Sequence, residues 1–252
     1  MQMPTNHTQE PIISRTDARI SNTIADQLAK VTARIQQAAQ AAARNPETVR
    51  LIAVSKTQAA AAIAQAYASG QRDFGENYLQ EALDKQAELR RLTDLVWHFI
   101  GPIQSNKTRP IAENFNWVHS IDREKVAQRL NDQRPAHLPP LQVCLQVNID
   151  DETTKSGVSL AELPTLAKAV NQLPRLQLRG LMAIPAASNN TDQQRAAFAK
   201  LRLALQALHA QGNALDTLSM GMSGDLEAAI AEGATMVRVG TDVFGQRHKL
   251  AT

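Results

Sequence analysis

Short apolar runs alternate with longer amphipathic stretches along most of this chain. Eight apolar runs have the length of β-strands, at residues 50–55, 73–75, 96–101, 117–121, 141–149, 176–184, 217–220 and 236–240. Seven stretches between them carry apolar residues at helical spacing, at residues 59–69, 78–90, 105–114, 124–131, 160–173, 192–210 and 225–232. One more helix is predicted before the first strand, at residues 20–43. This alternation is typical of successive βα units, so the pattern predicts a parallel sheet covered by helices.

The strand count and the length of the chain narrow the choice of parallel fold. Eight strands with helical crossovers fit either a closed barrel or an open doubly wound sheet. The length of 252 residues is typical of an eight-stranded barrel, so we predict a single α/β domain, a (β/α)8 TIM barrel, over residues 18–252. Residues 1–17 are polar, contain two prolines and show no periodicity, which predicts a flexible leader. In such a barrel, functional side chains lie at the carboxyl ends of the strands.

Composition and charge argue against several classes of function. The chain has 27 basic and 24 acidic residues, a small imbalance that gives little support to nucleic-acid binding. No apolar run approaches the roughly 18 residues that a membrane span needs, and the first residues lack an apolar signal core. The single cysteine, Cys144, lies in an apolar run, which predicts a buried thiol in a reducing compartment. We therefore expect a cytoplasmic protein, and the six histidines show no metal-ligand spacing.

Two turns near the end of the chain have the composition of a phosphate site. Residues 219–223, Ser-Met-Gly-Met-Ser, follow one predicted strand, and Gly240 and Thr241 follow the next. Small and hydroxyl residues at a strand-to-helix turn let backbone N–H groups approach an anion, and the helix N-terminus adds a favourable dipole. One such turn by itself is more often an ordinary connection between a strand and a helix. Two of them on adjacent strands predict a shared phosphate ligand.

Lys56 and Arg238 are the two cations that strand periodicity directs into the predicted barrel. Lys56 shares a face with Ile52 and Val54, and Arg238 shares a face with Met236. A desolvated amine at the mouth of a barrel could form a Schiff base with an aldehyde. Each residue also has a simpler interpretation: a lysine side chain that reaches solvent, and an arginine paired with a carboxylate inside the barrel.

Together, the lysine, the arginine and the two turns predict a pyridoxal phosphate site. That cofactor needs a lysine for its aldehyde, a cradle for its phosphate and a partner for its ring nitrogen. Since an arginine does not readily give up a proton, Arg238 would leave the ring nitrogen unprotonated. The cofactor would then be held but only mildly activated.

Eight motifs connect these features to a known family. In order, they are AVSKT (53–57), FGENYLQE (74–81), WHFIGPIQSNK (97–107), HSIDR (119–123), KSGV (155–158), RGLMAIP (179–185), LSMGMS (218–223) and VRVGTDVFGQR (237–247). On these motifs the chain resembles the pyridoxal phosphate homeostasis proteins, the YggS/PROSC group, which are related to the barrel domain of alanine racemase. The resemblance implies a TIM barrel of the fold-type III pyridoxal phosphate group without the C-terminal β domain.

The resemblance also implies roles for individual residues. Lys56 would hold the cofactor, pyridoxal 5′-phosphate, as a Schiff base, and Arg238 would approach its ring nitrogen. The phosphate would be bound by four residues of the two turns, Ser219, Ser223, Gly240 and Thr241. Asn77 would lie near the cofactor, and Met182 and the backbone of residues 220–222 would line the pocket.

Two further features of the resemblance are less direct. Gly224 departs from the acidic pair that family members show after the LSMGMS motif, although Asp225 remains to cap or complement the following helix. His98 and residues 105–107, Ser-Asn-Lys, form a second polar group that in this family lies near the mouth of the cofactor site. Its simpler interpretation is a helix N-cap followed by a solvated lysine.

Three functions compete for this set of residues. The first is a non-catalytic carrier that takes part in vitamin B6 and amino-acid homeostasis by storing pyridoxal phosphate or delivering it to apo-enzymes. The second is a weak amino-acid racemase, which needs two bases on opposite faces of the substrate. The third is a phosphosugar-binding barrel, which would explain the two turns but not Lys56.

The racemase interpretation lacks an obvious second base. In alanine racemases that base is a tyrosine of a second domain, for which this chain offers no sequence. Tyr78 is the one candidate near the barrel mouth, and a helix-packing role is the stronger interpretation for it. We therefore favour the carrier, and we expect a monomer because the usual racemase dimer contact is absent.

Overall fold

The computed structural model of this protein describes residues 23–150 and 156–245. The leader predicted at residues 1–17, the first residues of the helix predicted at 20–43, Lys155 and Arg247 lie outside the described residues. The leader therefore stays a prediction.

Eight parallel strands form a closed barrel in which each strand pairs with its neighbours in chain order, and β8 pairs with β1. The strands are β1 (Arg50–Val54), β2 (Asp73–Glu76), β3 (Val96–Phe99), β4 (Trp117–Ile121), β5 (Leu141–Gln146), β6 (Leu176–Met182), β7 (Thr217–Ser219) and β8 (Met236–Val239). The predicted TIM barrel is confirmed, and each predicted strand corresponds to an observed one.

The helices follow the predicted order. They are α1 (Ile24–Ala41), α2 (Ala60–Ala68), α3 (Leu79–Glu88), α4 (Thr108–Asn114), α5 (Glu124–Gln133), α6 (Leu163–Asn171), α7 (Thr191–Ala210), α8 (Leu226–Ala231) and α9 (Thr241–Phe244). Short 3-10 turns occupy Pro46–Thr48 and Ser105–Lys107. The sequence pattern did not predict α9, because four residues are too few to show a helical period.

Prolines explain two of the boundaries that differ from the prediction. Helices were expected to begin at residues 105 and 160, but α4 begins at Thr108 and α6 at Leu163. Each start places a proline, Pro110 or Pro164, within the first helical turn. A proline is tolerated there because its missing N–H would have no partner inside the helix, whereas later in a helix it removes a hydrogen bond.

Side chains alternate between the inside of the barrel and the layer beneath the helices. Val237 and Val239 belong to the large core between the barrel and its helices. Ile52 and Met236 belong to a small separate cluster inside the barrel, together with Trp117, Cys144 and Met182. The inward faces predicted for β1 and β8 are therefore confirmed, and so is the burial of Cys144, whose side chain is inaccessible to solvent.

Helix α1 precedes the barrel and packs against α8 and α9. Its first turn is closed by a capping box, in which the Thr23 hydroxyl accepts a hydrogen bond from the Asp26 N–H and the Asp26 carboxylate accepts one from the Thr23 N–H, both at 3.1 Å. The packing of α1 against α8 and α9 places it next to the two turns that were predicted to bind phosphate.

Among the described ranges, no helix combines the length and apolar character needed to cross a bilayer.

Candidate functional site

A cavity of about 280 Å³ opens at the carboxyl end of the barrel. This volume is near the lower end of small-molecule sites, which run from roughly 300 to 1,000 Å³. Six of the eight predicted site residues line it: Lys56, Asn77, Ser223, Arg238, Gly240 and Thr241. Val54, Ile100 and Ile184 add apolar surface. The cavity therefore combines polar groups from both ends of the sequence with apolar walls.

Closure of the barrel brings Lys56 and Arg238 to the same cavity. Strand β1 pairs with β8 so that Ile52 lies opposite Arg238 and Ala53 lies opposite Val239. Lys56 follows β1 by two residues, and it lines the cavity together with the residues that follow β8. The two residues thus line one cavity although they are far apart in the sequence.

The two neighbours of Lys56 are held by a buried charged cluster. The Lys85 ammonium donates to the Ser55 carbonyl at 2.7 Å and to the Glu76 carboxylate at 2.8 Å. The Ser55 hydroxyl donates to the same Glu76 oxygen at 2.6 Å. On the other side, the Thr57 N–H donates to Glu81 at 2.5 Å, and Lys85 also contacts Glu81. The backbone on both sides of Lys56 is therefore fixed from α3 and β2.

Thr57 adopts an unusual backbone conformation within this cluster. Its φ angle is 65°, in the left-handed region that a β-branched residue rarely occupies. Such a conformation costs on the order of 1–3 kcal/mol and persists only where neighbouring contacts impose it. Here the contact is the hydrogen bond from the Thr57 N–H to Glu81. The chain turns sharply after Lys56.

Burial of Glu76 disfavours the ionised form of its carboxyl group, and its hydrogen-bond partners offset this effect only in part. Burial raises the pKa of its carboxyl group, while hydrogen bonds from Lys85 and Ser55 act in the opposite direction. Its second carboxylate oxygen is buried and has no hydrogen-bond partner among the described residues. The cluster therefore depends on Lys85, whose side chain is almost completely buried with it.

Asn77 lines the cavity, and its backbone lies directly against Gly101. A Cβ atom at Gly101 would come within 2.3 Å of the Asn77 carbonyl oxygen, so only glycine permits this approach. The side-chain oxygen of Asn77 is buried and has no hydrogen-bond partner within the described part of the chain. Such an acceptor at a cavity is suited to a donor from a ligand or water.

The turn between β7 and α8 has a backbone shape that its glycine makes possible. Gly221 has a φ angle of 94°, and a Cβ atom there would lie 2.5 Å from the Cβ of Ala229. Its carbonyl accepts a hydrogen bond from the Arg238 N–H at 2.9 Å, which joins this turn to β8. The Asp225 carboxylate accepts from the Met222 N–H at 2.6 Å. Asp225 therefore closes the turn and makes no side-chain cap on α8, but it lies at the N-cap position, where its charge complements the helix dipole, the second of the two predicted roles.

Arg34 of α1 holds both turns from outside the cavity. Its guanidinium donates to the Ser223 carbonyl at 3.0 Å and to Glu227 of α8 at 2.9 Å and 3.1 Å. It also donates to Asp242 of α9 at 2.6 Å. The sequence did not predict this role for Arg34, because an arginine on the polar side of an amphipathic helix gives no signal of a distant partner.

Ser219 does not line the cavity in which it was predicted to bind phosphate. Its side chain is inaccessible to solvent and does not line the cavity. Its hydroxyl oxygen instead accepts a hydrogen bond from the Arg238 guanidinium at 2.7 Å and contacts the His119 ring at 2.8 Å. The phosphate role of Ser219 stays a prediction, and in this structure its hydroxyl is already hydrogen-bonded inside the barrel.

Met182, Tyr78 and His98 also lie away from the cavity. Met182 is buried in the cluster inside the barrel, below the cavity, and so does not line it. Tyr78 is 55% exposed and is absent from the cavity wall. His98 is buried inside the barrel, where it contacts Asp73 and His119, and it is thus separate from residues 105–107. The second polar group predicted at the mouth does not form as one cluster.

Comparison with known proteins identifies the family. A family model described as the N-terminal domain of alanine racemase matches residues 27–248. The pyridoxal phosphate homeostasis protein of Pseudomonas aeruginosa is 66% identical over 226 residues, which cover 90% of this chain and 96% of that protein. The chain belongs to the pyridoxal phosphate homeostasis protein family. The family protein of Escherichia coli K12 is 55% identical over 228 residues, covering 90% of this chain and 97% of that protein.

Solved structures agree with the membership of this homeostasis family. PipY of Synechococcus elongatus PCC7942, described with PLP bound, is 42% identical with a TM-score of 0.78, covering 88% of this chain and 100% of PipY. Alanine racemase of Corynebacterium glutamicum is 17% identical with a TM-score of 0.68, covering 90% of this chain and 64% of the racemase. At that identity the racemase comparison supports the barrel fold alone.

Proposed function

We propose that this protein binds pyridoxal 5′-phosphate through Lys56 and takes part in vitamin B6 and amino-acid homeostasis by storing or delivering the cofactor. The observation that carries the proposal is the single cavity in which Lys56, Arg238 and the two turns meet. The description of PipY with PLP bound supports the same ligand. The family name of the curated relatives supports the homeostasis role.

The cavity fits the chemistry of this cofactor. When bound, pyridoxal phosphate supplies an aldehyde that condenses reversibly with a primary amine, forming a carbon–nitrogen double bond and releasing one water. Lys56 offers the amine. The buried oxygen of Asn77, which has no partner among the described residues, offers an acceptor. Apolar walls at Val54 and Ile100 fit an aromatic ring.

The remaining polar groups of the cavity hold different parts of the cofactor. Ser223, Gly240 and Thr241 line the cavity, and we assign the phosphate to them. Arg238 is 4% exposed, and we assign it to the ring nitrogen. Burial lowers the pKa of its guanidinium to about 10, so at neutral pH it remains a hydrogen-bond donor.

A carrier agrees better with this cavity than a racemase does. Racemisation needs a second base opposite Lys56. Tyr67 donates a hydrogen bond to Asp94 at 2.5 Å, and neither Tyr67 nor Tyr78 lines the cavity. We therefore propose that the protein holds the cofactor without turning over amino acids, and that its partners are apo-enzymes that require pyridoxal phosphate.

Borohydride reduction of the protein with added pyridoxal phosphate tests this proposal. We expect a stable pyridoxyl group that peptide mapping assigns to Lys56. Lys56→Ala should lose this adduct but still retain some cofactor through the phosphate contacts, because those contacts are separate from the amine. The matched control is Lys125→Ala, at an exposed position of α5. An adduct that survives in Lys56→Ala at wild-type occupancy would contradict the assignment.

A further inference from the structure

A chain of buried hydrogen bonds crosses the inside of the barrel and ends at Arg238. The Arg238 guanidinium contacts the Ser219 hydroxyl at 2.7 Å, and that hydroxyl contacts Nδ1 of His119 at 2.8 Å. Nε2 of His119 lies 2.9 Å from Nδ1 of His98, and Nε2 of His98 lies 2.9 Å from the Asp73 carboxylate. Five side chains from β2, β3, β4, β7 and β8 therefore form one continuous path.

With both imidazoles neutral, the chemistry of the two ends fixes the direction of every hydrogen bond in this chain. A carboxylate only accepts, so His98 donates to Asp73 from Nε2 and accepts at Nδ1. His119 then donates to His98 from Nε2 and accepts at Nδ1 from the Ser219 hydroxyl. The hydroxyl oxygen of Ser219 accepts from Arg238, which only donates. Each group in the chain is satisfied in one arrangement, with both imidazoles neutral.

The surroundings of the chain suit this arrangement. His98 and His119 are both inaccessible to solvent, and their burial lowers the pKa of each ring, which favours the neutral form. The Arg238 guanidinium also donates to the Ala183 carbonyl at 3.0 Å. Asp73 lies at the opposite end of the barrel, at the start of β2, where Arg50 contacts it at 3.3 Å. The chain therefore joins a carboxylate near one end of the barrel to the guanidinium at the cavity.

We propose that Asp73, His98, His119 and Ser219 are positioning residues that orient Arg238 toward the ring nitrogen of the cofactor, with Asp73 as a remote counter-charge. This inference rests on the proposed function, because it concerns how Arg238 meets a bound pyridoxal ring. A guanidinium held by Ser219 and by the Ala183 carbonyl keeps one orientation. Its remaining N–H groups then point in a fixed direction, and the aligned dipoles of the chain stabilise its charge.

Two pairs of variants separate this chain from other effects of the same substitutions. Asp73→Asn and Arg50→Gln both remove the Arg50–Asp73 ion pair, but only Asp73→Asn removes the charge at the end of the chain. Ser219→Ala and Cys144→Ala each remove one heavy atom from inside the barrel, but only Ser219→Ala removes the acceptor of Arg238. Near-ultraviolet circular dichroism checks the fold, and either pair tests the proposal if one variant fails to fold.

The test is the 15N chemical shift of the ring nitrogen of bound, 15N-labelled pyridoxal phosphate, together with its dissociation constant. We expect Ser219→Ala and Asp73→Asn to move the resonance toward that of a pyridine nitrogen without a hydrogen bond. We expect Ser219→Ala to raise the dissociation constant by about tenfold, since it removes a buried hydrogen bond to a charged group. Arg50→Gln and Cys144→Ala should keep the wild-type resonance.

The outcomes distinguish this inference from the proposed function. If every variant forms the reduced adduct at Lys56 and the resonance of Asp73→Asn matches that of Arg50→Gln, the chain does not orient Arg238, and this inference alone is overturned. A shift in Cys144→Ala as large as that in Ser219→Ala would overturn it as well. If the wild-type protein forms no adduct at Lys56, the proposed function is overturned, and the inference with it.

Discussion

At the scale of single residues, the buried histidines connect the site to the stability of the barrel. Desolvation lowers the pKa of His119 well below its ordinary value of 6.5, and it also lowers that of His98. In the unfolded chain both rings return to ordinary values. At a pH between the lowered pKa of a folded-state ring and its ordinary pKa, the unfolded chain binds more protons than the folded one. The free energy of unfolding therefore falls as the pH is lowered below about 6.5.

His119→Gln should reduce this dependence on pH. We expect the loss of unfolding free energy between pH 7.5 and pH 5 to be smaller in the variant than in the wild type by about 1–2 kcal/mol. Urea denaturation at the two pH values measures the difference. His137→Gln, at an exposed position, should keep the wild-type dependence. Equal losses in the wild type and His119→Gln would show that this ring does not titrate on unfolding.

Lys85 gives a second prediction at this scale. Its ammonium is buried beside Glu76, so Lys85→Met leaves a buried carboxylate without its cation and should lower the unfolding free energy by about 3–5 kcal/mol. Adding Glu76→Gln should recover part of the loss, because it removes the unpaired charge. Chemical denaturation measures both, and the exposed Lys168→Met is the control. A loss below about 0.5 kcal/mol, as for a surface lysine, would contradict the role of the cluster.

At the scale of elements, α1 is a support for the two turns that face the cavity. Arg34 links it to the Ser223 carbonyl, to α8 and to α9. These contacts tie the turn after β7 to the helix after β8. The relative position of the two turns, and hence the shape of the proposed phosphate site, depends on a helix that precedes the barrel.

Arg34→Gln should therefore weaken retention of the phosphorylated cofactor selectively. We expect its dissociation constant for pyridoxal phosphate to rise by about fivefold, the effect of roughly 1 kcal/mol of lost ion pairing. Binding of pyridoxal, which has no phosphate, should change little. Fluorescence titration with both ligands measures the two constants, and Arg109→Gln on α4 provides the control. An equal loss for both ligands would show that Arg34 supports the whole cavity instead of the phosphate turns.

At the scale of the whole molecule, barrel closure is the feature that creates the site. Strand β8 pairs with β1, and this pairing joins Lys56 to the residues after β8. The strands and helices between β1 and β8 form the rest of the barrel that supports the site. The same architecture is present in PipY, with a TM-score of 0.78.

The oligomeric state is the prediction that belongs to this scale. We expect a monomer, the state that was predicted from the sequence. Sedimentation equilibrium should give a mass close to the 27.5 kDa of one chain over a range of protein concentrations. A mass near twice that value, independent of concentration, would contradict the prediction.

The sequence alone determined the barrel and most of the cavity. Period-two alternation fixed the inward faces of β1 and β8, and turn composition identified Ser223, Gly240 and Thr241, because these signals are local. The family motifs identified Asn77 as a further residue of the cavity. Boundaries shifted where a proline limited a helix.

Only the tertiary structure decided which distant groups are partners. Ser219 lies in a turn with the composition of a phosphate site, but inside the closed barrel its hydroxyl contacts His119 of β4 and Arg238 of β8. Arg34 has the pattern of an ordinary surface residue, but the packing of α1 against α8 and α9 brings it to both turns. Sequence periodicity reports the face on which a side chain lies, whereas its hydrogen-bond partner depends on barrel closure and helix packing.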